Sequence, residues 1–195
     1  MRRADPLVLV LAVSAFLVGC GLREAVTPNE DRLTTWSDRP LAPSPDLAAR
    51  ATDPSSTCSA GHDGLPVRIL LQDRRTEATA AFLVAGATTF GSCLVTSAGG
   101  GSAGGSGPVP GPMTGPLTID ANGGGGVGAG DARELGGRVD PKASSVVIEL
   151  ADGRSVAASL ANGYWLAWWP GSVLAERVIA TDGAGGEVAT VEVPA

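Results

Sequence analysis

The chain has 195 residues, 44% of them apolar, enough to bury one core of ordinary size, and a formal charge of −6 with a calculated pI near 4.7. Lys142 is the sole lysine, and the arginines are scattered rather than gathered on one stretch. Scattered cations on an acidic chain exclude nucleic acid as a partner and leave anionic lipid headgroups repelled, so any membrane attachment has to come from something other than surface charge.

At the N-terminus, Arg2 and Arg3 precede an apolar run from Leu7 to Val18, interrupted only by Ser14. As a helix that run is about 18 Å long, too short for a hydrocarbon core of about 30 Å, so it reads as the apolar region of a signal peptide. Leu17-Val18-Gly19-Cys20 closes it. The four residues and their place resemble the lipobox of bacterial lipoprotein signal peptides, a resemblance covering residues 1–20. It implies cleavage before Cys20 and a diacylglyceryl group, with or without a palmitate-like third chain, on that cysteine. Two acyl chains suffice for stable anchoring. The alternatives are a plain signal peptide with a chance cysteine, or an uncleaved anchor. Ala4-Asp5-Pro6 does not continue the arginine pair as twin-arginine signals do, which favours general secretion. The expected location is the extracytoplasmic face of the cell membrane. Loss of Arg2, Arg3 and Asp5 removes one net positive charge and takes the formal charge from −6 to −7.

Residues 20–57 mix proline with polar residues, as in Ala42-Pro43-Ser44-Pro45, and predict a lipid-anchored flexible tether. Extended at about 3.1 Å per residue it would lift a domain on the order of 100 Å from the bilayer. Asp46 can cap one short helix over Leu47 to Ala51, ending before Asp53-Pro54.

Residues 58–195 predict a β-domain. Strands are expected over Val67–Gln72, Thr79–Ala85 and Phe90–Thr96, with the polar stretch Asp73–Glu77 between the first two. Glycine dominates 99–112 and 122–130, read as low-complexity loops around a weak strand at Leu117–Asp120. The last third predicts a five-strand meander over 145–150, 154–160, 164–169, 174–180 and 187–193, with Asp152-Gly153, Asn162-Gly163 and Asp182-Gly183 as hairpin turns. The fold class is all-β, a small antiparallel β-sandwich or open barrel with long Gly-rich loops.

With Cys20 lipidated, Cys58 and Cys93 remain, and in an oxidising compartment they are expected to pair. A redox role is the alternative, although nothing resembles Cys-x-x-Cys. Few residues of the chain suit catalysis. His62 is the one histidine and is framed by no nucleophile elbow, and Lys142 three residues before Ser145 reads as a turn. Gly124–Gly130 with Asp131 lacks the context of a dinucleotide loop, and Asp120, Asp131, Glu134 and Asp140 are isolated acids more than a calcium site. No cofactor or metal is expected, and the chain does not read as an enzyme.

Tyr164-Trp165-Leu166-Ala167-Trp168-Trp169 sends Tyr164, Leu166 and Trp168 to one face of a strand and Trp165 and Trp169 to the other. The strand is either the central core element or a platform on which Tyr164, Trp165, Trp168 and Trp169 stack a sugar or peptide. The runs Val146–Arg154 and Asn162–Gly171 resemble the uncharacterised extracellular β-domains of actinobacterial lipoproteins and membrane proteins. That resemblance covers about residues 58–195, implies the fold and brings no activity. The functional expectation is a membrane-anchored, non-enzymatic binding module whose partner is an envelope protein or wall polysaccharide. A glycan-binding module or envelope hydrolase is the alternative.

Overall fold

The computed structural model describes residues 35–127 and 130–194. Cys20 and the expected signal peptide lie outside them. The fold is an all-β sandwich of antiparallel sheets that do not close into a barrel.

Among the described residues, two short helices come first. Helix α1 (Pro45–Ala51) is capped by Ser44, whose hydroxyl accepts from Leu47 N at 3.4 Å, rather than by Asp46. Pro45 suits the first helical turn, where its missing N–H would be unsatisfied anyway. Leu47 and Ala51, one turn apart, are buried. Helix α2 (Thr57–Ala60) is capped by Ser56. The expected tether is therefore shorter than 20–57. From Trp36 onward the chain packs on the domain, with Ser37 N donating to Arg75 O and Leu41 N to Arg74 O.

Among the described residues, twelve strands form three four-stranded sheets. The first is β1 (Arg68–Arg74), β2 (Thr79–Ala85), β3 (Thr89–Thr96) and β4 (Gly101–Pro108), paired in that order. The other strands are β5 (Ala121–Val127), β6 (Gly130–Arg138), β7 (Ala143–Leu150), β8 (Ser155–Ala157), β9 (Ser159–Ala161), β10 (Tyr164–Pro170), β11 (Ala175–Asp182) and β12 (Glu187–Glu192). The second sheet runs β5-β6-β10-β9 and the third β12-β11-β7-β8.

Side-chain alternation sorts the core into layers. Ala80, Phe82 and Val84 of β2 face the helices with Leu47, Ala51, Cys58, Cys93 and Val95. Ala81 and Leu83 face the second sheet, meeting Leu166 and Trp168. From the other side of β10, Trp165, Ala167 and Trp169 meet Val146, Ile148, Val178 and Ala180 of the third sheet. The order is helices, first sheet, second sheet, third sheet. A strand buried on both faces needs no polar alternation, which is why β10 reads apolar throughout.

The last third is not a meander. The expected strand at 154–160 breaks at Ala158, so that β8 pairs with β7 in the third sheet while β9 pairs with β10 in the second. The chain then returns to the third sheet, where β11 lies between β7 and β12. Asn162 (φ 54°) and Gly163 (φ 76°) form the expected two-residue turn. The other two turns are longer. Leu150 N donates to Arg154 O across one, and Asp182 Oδ1 accepts from Ala184 N and Gly186 N in the other. Leu117–Asp120 is not a strand, only a bridge from Leu117 to Val139.

The largest correction concerns the two glycine-rich segments, which are strands β4 and β5. They do not hydrogen-bond to each other, but their backbones touch. A Cβ on Gly123 would stand 2.7 Å from Gly104 Cα, and one on Gly105 would stand 2.7 Å from Asn122 O. Facing sheets ordinarily lie about 10 Å apart because side chains fill the space. Glycine lets these two edges converge to backbone contact.

Candidate functional site

The aromatic strand is core. Trp165 and Trp168 are 0% exposed and Trp169 1%. Their indole N–H groups are satisfied internally: Trp165 Nε1 donates to Thr118 O, Trp168 Nε1 to Asp73 O and Trp169 Nε1 to Val173 O. A ring enclosed on both faces has none left for a sugar, so of the two readings of this strand the core element holds and Trp165, Trp168 and Trp169 form no platform. Tyr164 is half-buried and stacks on Phe90 with ring centroids 6.4 Å apart.

Below Trp168 lies a buried ion pair inside the stretch read from sequence as a polar break. Arg75 Nε donates to Asp73 Oδ2 at 2.8 Å, with both side chains fully buried. Arg75 also donates to the carbonyls of Ser37, Asp38 and Ala157, and its guanidinium lies 5.6 Å from the Trp36 ring centroid. Asp73 accepts further from Ser159 Oγ at 2.9 Å and Trp168 N at 3.2 Å. Burial pushes the Asp73 carboxyl up to about 6 against the pull of Arg75 and these donors, so at neutral pH it is the anion they match. Every polar atom of the pair has a partner, as a buried charge requires. Trp36 Nε1 donates to Trp168 O, so the network latches the incoming chain to the first and second sheets.

Glu134 is the opposite case. It projects from β6 toward the first sheet beneath the glycine contact, where a Cβ on Gly104 would stand 1.7 Å from its Oε1 and 2.6 Å from Ser92 Oγ. Both carboxyl oxygens and Ser92 Oγ lack a formed hydrogen bond. Burial pushes its carboxyl up to about 8, the nearby Ser92 hydroxyl only partly offsetting this, so Glu134 is protonated at neutral pH.

The other residues considered for chemistry do not converge. His62 is 2% exposed, its Nδ1 2.5 Å from Thr89 Oγ1, and desolvation lowers its pKa. Lys142 is exposed in a turn, where its N–H donates to Asp140 Oδ1, while Ser145 Oγ pairs with Thr181 Oγ1. Asp120 is held by Arg138 Nε at 2.8 Å. Among the described residues no three His, Cys, Asp or Glu side chains gather as metal ligands.

Cys58 and Cys93 form a disulfide with Cα atoms 5.3 Å apart, joining α2 to β3. Closing a loop of 35 residues stabilises the fold by about 3–4 kcal/mol in the chain-entropy model. Beside the bond lies a cleft of about 240 Å³, between the α1–α2 corner and the β3–β4 turn. Arg50, Asp53, Thr57 and Thr96 line it with Gly99 and Gly100. Thr57 Oγ1 donates to Leu94 O and Thr96 N–H to Gly100 O, so both walls are tied to the first sheet. Sequence reasoning missed this cleft because one wall fell within the expected tether and the other within an expected loop. The hydroxyl run Ser55-Ser56-Thr57 directly before Cys58 was the available signal.

No family model and no curated protein matches the chain.

Proposed function

We propose that the chain is an exported lipoprotein, anchored through Cys20 on the extracytoplasmic face of a bacterial membrane, whose β-domain is a non-enzymatic binding module of the cell envelope. The observation that carries the reading is the Cys58–Cys93 disulfide, since such bonds persist in oxidising compartments and are rare in the cytosol. It agrees with the lipobox reading of Leu17-Val18-Gly19-Cys20. A protein carried by two acyl chains needs no basic surface, in keeping with the charge of −7 on the mature chain.

The packing of Trp36 changes the reach of the anchor. Only residues 21–34 separate Cys20 from the described domain, so even fully extended they place it within about 50 Å of the bilayer. The module works near the membrane surface, and its partner is a component found there.

Cys20→Ala tests the anchor. The variant is expected in the released fraction or as unprocessed precursor, while the wild type needs detergent for extraction. Detergent-dependent recovery of the variant at wild-type size would overturn the proposal.

A further inference from the structure

We propose that the cleft beside the disulfide binds a single sugar ring carrying an anionic group. The proposal names a ligand for the module described above and rests on that reading; its own support is the hydrogen-bond inventory of the walls. Each hydroxyl there has already committed its hydrogen to an acceptor within the protein. Ser55 Oγ donates to Asp53 Oδ1 at 2.5 Å, Ser56 Oγ to Ala51 O at 2.9 Å, Thr57 Oγ1 to Leu94 O at 3.4 Å and Thr96 Oγ1 to Gly99 O at 3.1 Å. A hydroxyl has one donor and two acceptor lone pairs, and Ser56 Oγ already accepts from Ser59 N, so what the four have left to offer is acceptance alone, on one lone pair in the case of Ser56. A ligand matching them must bring several O–H or N–H donors, as a polyol does.

Arg50 supplies the complementary part. It is exposed at the end of α1 on the cleft wall and carries no ion pair among the described residues. Asp53, the one carboxylate of the lining, accepts the N–H and hydroxyl of Ser55 at Oδ1, which hold its pKa below the usual carboxylate value, and makes no ion pair with Arg50. With no ion pair of its own, the guanidinium fork can take a carboxylate or phosphate of the ligand.

Size and shape narrow the class further. The cleft volume of about 240 Å³ is below the range of about 300–1,000 Å³ that houses drug-sized ligands, so it suits one ring and not a chain. Gly99 (φ 80°) and Gly100 (φ 93°) have open space where a side chain would project, giving one wall a bare backbone surface on which a ring can lie. Val95, the threonine methyls and the glycine backbones give the lining apolar surface for the C–H face of a ring, between hydroxyls that meet its edge. The disulfide one residue from Thr57 and two from Val95 fixes the two walls relative to each other before any ligand arrives, which lowers the ordering cost of binding.

The test is an NMR titration of the full-length protein in detergent with glucuronic acid, with glucose and inorganic phosphate as comparisons. Glucuronic acid is expected to shift the amide signals of Thr57, Thr96, Gly99 and Gly100 saturably, with glucose and phosphate each binding at least about tenfold more weakly, as loss of a charge-assisted bond or of the hydroxyl contacts implies. Arg50→Gln should reduce glucuronic acid to the level of glucose and leave glucose unchanged, while Arg50→Lys retains part of the preference. Absence of saturable shifts at these amides, phosphate binding as well as the sugar acid, or an unchanged titration for Arg50→Gln would each overturn the proposal. Such a failure removes the ligand but not the anchor, which the Cys20→Ala fractionation tests separately.

Discussion

Glu134→Gln will gain stability over the wild type as the pH rises, by about 2 kcal/mol between pH 6.5 and pH 8. The wild-type carboxyl has an ordinary value of 4.5 when unfolded and about 8 when buried beneath Gly104 and Gly123. Below pH 4.5 both states are protonated and the group costs nothing through ionisation. Above that value the unfolded state releases its proton while the folded state keeps it, so stability falls until the folded carboxyl ionises near pH 8. At about 1.4 kcal/mol per unit, the full loss is about 5 kcal/mol, roughly half of it falling above pH 6.5. Glutamine keeps the shape and cannot titrate. Asp73, raised to about 6, and His62, lowered, also titrate with folding, but both contribute equally to the two proteins and cancel in the difference. Urea unfolding of the pair at several pH values measures it. Parallel stability curves would mean that Glu134 is ionised in the folded protein over the whole range.

Gly123→Ala will destabilise the protein by about 2–3 kcal/mol, the range for overpacking a filled site, whereas Gly126→Ala in the same strand will be neutral or stabilising by up to about 1 kcal/mol. The first adds a methyl 2.7 Å from both Gly104 Cα and Gly105 N; the second adds one where nothing lies within 4 Å. For a chain of this length the first change lowers the melting temperature by about 4–12 °C. The contrast separates a packed glycine seam from a mobile loop, because in a loop the two alanines would have the same small effect. Equal melting temperatures for the two variants would show that β4 and β5 do not meet as described.

The parts legible in sequence are those where side chains report their own environment. Short apolar runs between turn residues located β2, β3 and β7, and Asn162-Gly163 marked its turn, because burial and positive φ leave direct traces in residue type. The dual burial of Trp165 and Trp168 was implicit in an aromatic strand with no polar face. Three things stayed hidden for physical reasons. Glycine has no side chain to reveal what it touches, so the contact of Gly104 with Gly123 reads as low complexity. Asp73 and Arg75 read only as a polar break between strands because their burial depends on partners at Trp36, Ser159 and Trp168, distant in sequence. Alternation along 154–160 could not reveal that the chain changes sheets at Ala158. The cleft was illegible for a related reason, since Arg50 and Gly100 become neighbours only when α1 folds back on the first sheet.

The central claim is that this is a processed, lipid-anchored and disulfide-bonded envelope protein, and intact-mass spectrometry of the protein extracted from its native membrane tests it most directly. The account predicts one mass equal to the chain beginning at Cys20 plus a diacylglyceryl group, with or without a further acyl chain, two hydrogens lighter than the fully reduced form, and no thiol open to alkylation before reduction. A mass matching the chain from Met1 without lipid, or free thiols at Cys58 and Cys93, would contradict it.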